Sequence, residues 1–377
     1  MNPNLFEKLK IKEDKLHQKF LYLKDNPSFI YQKKQLEEWF EGFEDRDNKI
    51  VKEFQTTFHS TFWEIYLHAV FNEMGYKIDF SHDRPDFILK SKPNNIMVEA
   101  TVANIKEGGV QEATRDESNI LSMFTPPSLQ PNFDYELKEA IARYGNSIRS
   151  KNEKFHKTYK NCDWVTSENP YVIALSSYAQ VDYGRDYIYG IFALLYGQYF
   201  IPDPDKNDFI SKEFILKNET NTKIPLGIFL DESYSDVSAI IFSTTTTIGK
   251  LTATVASNNS SYNENVVFNL YRDFLDEDDP YKYMLVGPES PEILTDGLFV
   301  FHNPNAKNPI SLEAFHAPGI TQYYYNINGD LKRAGNPNPT IARLSIPRLF
   351  AGLYVQEIEK DILCYNFAAR NFVSPLA

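Results

Sequence analysis

Two short apolar runs, each carrying one carboxylate, constrain this chain more than any other feature. The first, Asp86-Phe87-Ile88-Leu89, opens directly after Pro85. The second, Ile96-Met97-Val98-Glu99-Ala100-Thr101, carries Glu99. Both have the length and apolar content of a buried strand. The polar segment Lys90 to Asn95 between them holds Pro and Asn and suits a hairpin connection. Two carboxylates on adjacent buried strands repel each other and resist desolvation. A cation in the gap removes that cost. Mg²⁺ (or Mn²⁺) takes hard oxygen ligands and uses one or two carboxylates plus water, so the pair reads as a metal site.

Helical and strand patterning surrounds the pair. Residues 5–24 and 29–44 are charged and read as two helices separated by Asn26-Pro27-Ser28. Residues 52–74 read as one amphipathic helix, with Phe54, Phe58, Phe62, Tyr66, Val70 and Met74 on one stripe. Glu64 lies off that stripe, and Gly75 stops the helix. Tyr76 to Phe80 reads as a strand. A long polar stretch, 103–133, follows the Glu99 run and has the length of a functional loop. Residues 134–159 return to helical spacing, and Tyr171 to Ser176 reads as a buried strand. Residues 184–198 fit an apolar helix or a further strand.

The C-terminal half changes character. Ser238–Ser243, Lys250–Val255, Val266–Leu270 and Gly297–His302 read as strands. Tyr323-Tyr324-Tyr325 before Asn328-Gly329-Asp330 reads as a hairpin. Ile346 to Phe367 reads as an amphipathic helix with Leu349, Leu353, Ile358 and Ile362 on one side. The resulting organisation is a helical segment over 1–50, an α/β domain over 51–200, and a β-rich region over 201–377 that ends in a helix.

Charge and cysteine usage bound the function. The net charge of −12 opposes indiscriminate nucleic-acid binding. Most of the acidic excess lies beyond residue 180, however, and Arg149 to Lys160 holds five basic side chains against one acidic. Cys162 and Cys364 are far apart and form no disulfide framework, which suits a reducing cytoplasm. No apolar run approaches a membrane span, so no membrane partner is expected. His59, His82 and His156 share no zinc-ligand spacing.

The order is a helix with Glu64, a strand, a strand with Asp86, a strand with Glu99, a basic helix and a strand. Together with Pro85-Asp86 and Glu99-Ala100-Thr101, it resembles the PD-(D/E)xK nuclease superfamily over roughly residues 52–180. The resemblance implies a restriction-endonuclease-like core, a central mixed sheet flanked by helices. It also implies Mg²⁺-dependent cleavage of phosphodiesters, with DNA as partner and a restriction or defence setting. Asp86 and Glu99 take the metal-binding positions, and Glu64 the helix position that assists them. The family carries a Lys two residues after the second acid, where this chain has Thr101. Some members place that Lys on the following helix, which makes Lys151 the candidate and Lys154 the second choice. Two alternatives remain open: a catalytically degenerate nuclease fold that binds nucleic acid or protein, and a structural or interaction protein.

Overall fold

The computed structural model describes residues 3–105, 108, 125, 130–178, 185–202, 208–259, 261 and 263–370. Four helices come first: α1 (Gln18–Asp25), α2 (Ile30–Phe40), α3 (Ile50–Thr56) and α4 (Phe58–Glu73). The single helix expected over 52–74 is therefore two. Thr57 leaves helical geometry at φ −126°, ψ 46°. The hydroxyls of Thr56 and Thr57 donate back to the carbonyls of Lys52 and Glu53, an alternative to the helical ladder that bends the chain. Of the stretch 5–24 only the end is α-helical. Gly75 closes α4 at φ 79°, where Tyr76 N–H reaches back to the Phe71 carbonyl.

A short meander follows: β1 (Lys77–Ile78), β2 (Phe87–Lys90) and β3 (Ile96–Asn104). The strand expected over 76–80 is reduced to two residues. Most of the stretch 103–133 lies outside the described residues. The long helix α5 (Phe133–Lys157) then crosses over to β4 (Tyr171–Tyr178), which runs parallel to β3. Helix α6 (Tyr189–Tyr196) and β5 (Gln198–Ile201) divide the segment whose periodicity fitted either class.

Beyond these come the hairpin partner β6 (Asp208–Ser211) and the small pair β7 (Phe214–Leu216) and β8 (Lys223–Pro225), then β9 (Ala239–Ser243). Helix α7 (Ile248–Asn258) follows. The strand expected over Lys250–Val255 is a correction: Leu251, Ala253 and Val255 alternate, but Ile248, Leu251, Thr252 and Val255 also recur at helical spacing. The Thr247 side chain caps the helix by accepting from Gly249 N–H. Next are β10 (Asn265–Arg272), β11 (Tyr281–Leu285), β12 (Leu298–His302), β13 (Ile320–Tyr325), β14 (Leu331–Gly335), β15 (Thr340–Pro347) and helix α8 (Ala351–Arg370). The β13–β14 pairing is the hairpin expected around Asn328-Gly329-Asp330. The closing helix begins later than expected because Ile346 belongs to β15. Ile358 and Ile362 are buried, whereas Leu349 and Leu353 face solvent, a second correction to the stripe drawn from sequence.

The fold is mixed α/β. One eight-stranded sheet runs in the order β1-β2-β3-β4-β9-β12-β13-β14, with helices on both faces. The meander β1-β2-β3 is antiparallel, and β3, β4 and β9 are parallel. Four strands of this sheet come from beyond residue 201, so the sheet is continuous across that boundary. One face packs on α1–α4 and α7 through Phe54, Phe58, Phe62, Val98 and Val172. The other packs on α5, α6, α8 and a three-stranded sheet, β11-β10-β15. Among the described residues no helix is long and apolar enough to cross a membrane.

Candidate active site

Antiparallel register brings the two strand acids together. Phe87 pairs with Val98, so the next position outward sets Asp86 across from Glu99. Directly opposed residues on antiparallel strands share a face. Asp86 sits just before β2, where its Oδ2 accepts the Ala100 backbone N–H at 2.7 Å. The turn that delivers it is held from outside the strands. Arg46 donates to the carbonyls of His82, Pro85 and Asp86, at 3.1 Å for the last two. The His82 ring stacks on Trp164 at 4.1 Å between centroids.

Glu99 is fully buried, and its carboxylate is the centre of the site. Its Oε1 accepts from Lys151 Nζ and Lys154 Nζ, each at 2.7 Å, and its Oε2 accepts from the Tyr159 hydroxyl at 2.6 Å. Both lysines stand on α5 one turn apart. That helix is pinned over β3 and β4 by the buried Leu137, Ile141, Tyr144, Ile148 and Phe155. Tyr171 fixes the turn that carries Lys151 by donating to its carbonyl at 3.1 Å. Two ammonium groups of one helix, those of Lys151 and Lys154, therefore meet on Glu99. Lys151 is the more enclosed, at 21 % side-chain exposure against 43 % for Lys154.

The electrostatics follow from burial. Burial and then the charge of Glu99 push the Asp86 carboxyl up to about 6. Glu64, half-buried on α4, is raised well above the ordinary carboxyl range by burial and then by Asp86. Burial also opposes the charge of Glu99, but Lys151 and Lys154 outweigh it and hold this carboxyl below its usual range. Lys151 is disfavoured by burial, yet Glu99 and Asp86 raise it above the ordinary ammonium range.

Thr101 shares the Glu99 side of β3 by strand alternation. It is half-buried and lies beneath α5, where Ser147 donates to the Val102 carbonyl at 3.3 Å. Among the described residues no three of His, Cys, Asp and Glu gather as a ready metal-ligand set. What the site offers is the strand pair Asp86 and Glu99, with Glu64 coupled to them by charge. Sequence reasoning missed Tyr159 and Arg46. Neither has a distinguishing local pattern, because each reaches the site from a turn.

No protein-family model, no curated protein and no solved structure matches this chain.

Proposed function

We propose that this chain is a metal-dependent nuclease that hydrolyses phosphodiester bonds of nucleic acid on a restriction-endonuclease-like core. The observation that carries the reading is the meeting of Glu99 with Lys151, across from Asp86. The order α4, antiparallel β1-β2-β3, α5 and parallel β4 supports it as well.

Asp86 and Glu99 are hard oxygen donors of the kind that Mg²⁺ takes. By register Asp86 stands across from Glu99, and the repulsion between them is what a cation relieves. These two would hold the ion, with Glu64 within electrostatic reach of them. When bound, such an ion lowers the pKa of water and offsets charge on phosphoryl oxygens. The chain's own residues supply the rest. Lys151 brings a half-buried ammonium to the carboxylates, where it stabilises developing negative charge. Tyr159 and Lys154 orient Glu99. Thr101 contributes a hydroxyl where the family has an ammonium. Arg149, Lys157 and Lys160 are exposed cations on α5 and the turn after it, suited to a phosphate backbone.

A second reading keeps the fold without the chemistry. Both oxygens of Glu99 are already engaged by Lys151, Lys154 and Tyr159, which favours a structural ion pair. Titration of Mg²⁺ and Mn²⁺ into wild type and Asp86→Ala, followed by a cleavage assay on DNA, separates the two. Metal binding lost in Asp86→Ala together with metal-dependent cleavage supports the nuclease. Wild type that binds no metal supports the degenerate form.

A further inference from the structure

Two guanidinium groups meet where the main sheet faces the three-stranded sheet. Arg333 of β14 lies across from Tyr323 of β13, and Arg272 of β10 lies across from Tyr281 of β11. Both close on one ring. The Cζ of Arg333 is 3.7 Å from the Phe274 centroid, and that of Arg272 is 4.6 Å from it.

Two like charges in a half-buried place repel each other. Burial lowers the Arg333 guanidinium from its ordinary range, and Arg272 adds to that effect. Asp273, next to Arg272 in sequence, acts on Arg333 through its charge and makes its own hydrogen bonds with Lys282 at 3.0 Å and the Leu275 N–H at 2.9 Å.

Arg333 and two phenols that the pair reaches by charge carry polar atoms without a partner. The hydroxyls of Tyr187 and Tyr323 and the Nη1 of Arg333 are buried and make no hydrogen bond. Tyr323 is fully buried and Tyr187 is 5 % exposed. Each phenol is within electrostatic reach of both guanidiniums. Buried polar groups are normally satisfied, so several orphans in one place point to an absent partner. A guanidinium only donates, and a phenol can donate, so that partner is rich in acceptors. The donors arrive from two sheets and from the turn before α6. A tetrahedral oxyanion presents acceptors in several directions, whereas a carboxylate presents them in one plane.

We propose that Arg272, Arg333, Tyr187 and Tyr323 form an oxyanion site that takes a phosphoryl group, as free phosphate or on a nucleotide. The site is separate from the carboxylate pocket. β13 is four strand positions from β3, about 19 Å at the usual strand spacing. It therefore stands independently of the nuclease reading.

The test is thermal unfolding of the full chain with inorganic phosphate or with AMP, each against sodium chloride at matched ionic strength. Either anion should raise the Tm saturably in wild type and equally in Asp86→Asn. Arg333→Met should abolish the effect, and Tyr323→Phe should weaken affinity about tenfold, the loss of one hydrogen bond to a charged group. Tyr323→Phe removes only an unpartnered oxygen, so its Tm without anion should equal or exceed that of wild type. Tighter binding of AMP assigns a nucleotide, and tighter binding of phosphate assigns the free ion. A Tm that responds to neither anion beyond chloride overturns the site, as does unchanged affinity in either variant.

Discussion

Lys151 donates to Glu99 at 2.7 Å across a separation of 52 residues in sequence. Neither residue has a local reason to meet the other. Glu99 points from β3 toward α5 because its neighbours Val98 and Ala100 are taken by the opposite core. Lys151 points toward β3 because Ile148 and Phe155, one turn away on either side, are buried against the sheet. The ion pair is thus a consequence of packing on both elements, and it keeps a fully buried carboxylate ionised.

Replacement of Lys151 by Ala should abolish cleavage, with a loss of at least about 100-fold, as when one preorganised charge-stabilising donor is removed. Metal binding should persist, because Asp86 and Glu99 remain. Lys154→Ala should lose less, since its more exposed ammonium is screened by solvent. Single-turnover cleavage and metal titration on both variants check this. Activity retained in Lys151→Ala but lost in Lys154→Ala would transfer the role.

Metal affinity should rise with pH through about 6, the range to which burial and Glu99 push Asp86. Protonated Asp86 cannot ligate, so binding should be weak at pH 5 and strong at pH 7.5. Stability without metal should move the other way. The folded state holds the Asp86 proton more tightly than the unfolded state, so this group's contribution falls as pH rises from its unfolded value to about 6. Glu99, held below its usual range, contributes with opposite sign, and that contribution is lost on acidification. Calorimetric titration and Tm measured across pH, in wild type and Asp86→Asn, separate the two.

Asp186 should behave as a buried neutral acid. Burial pushes its carboxyl up to about 7, and Tyr144 donates to its Oδ2 at 2.6 Å. Its folded-state pKa is raised, so it removes stability as pH climbs toward 7. Asp186→Asn keeps an acceptor for Tyr144 and cannot ionise. Its Tm relative to wild type should therefore increase between pH 5 and pH 8.

A second buried charge cluster, outside the candidate site, should dominate stability. Glu292 accepts from Lys250 at 2.5 Å and also from Arg343 and Asn269. Lys250 is fully buried and Arg343 is 6 % exposed. Glu292→Ala strands both cations and should cost about 3–5 kcal/mol. Urea unfolding measures this, and a loss below about 1 kcal/mol would show that solvent reaches the cations.

Nucleic-acid affinity should fall steeply with salt, with a log–log slope of roughly 0.9 per phosphate neutralised on duplex DNA. Charge reversal at Lys157, an exposed side chain, and at Lys160 should flatten that slope without touching the carboxylates. Binding isotherms at several salt concentrations check it. A slope unchanged by both reversals would place the backbone elsewhere.

Most of the elements around the carboxylates were legible locally. The Asp86 and Glu99 runs are continuous in apolar character, as strands covered on both faces must be. Helix α5 showed its periodicity over seven turns. Where two periods overlap in a short window, as in Lys250–Val255, local pattern could not choose between strand and helix. Packing chose: Leu251 faces one core while Lys250 turns to Glu292, a partner invisible from its own segment. The sequence by itself determined which residues carry charge near buried strands. Only the tertiary structure decided which of them meet, because the register of β2 on β3 and the placement of α5 over β3 depend on contacts distant along the chain. The same holds for Arg272 and Arg333, which no spacing links and which converge only because two separate sheets pack face to face.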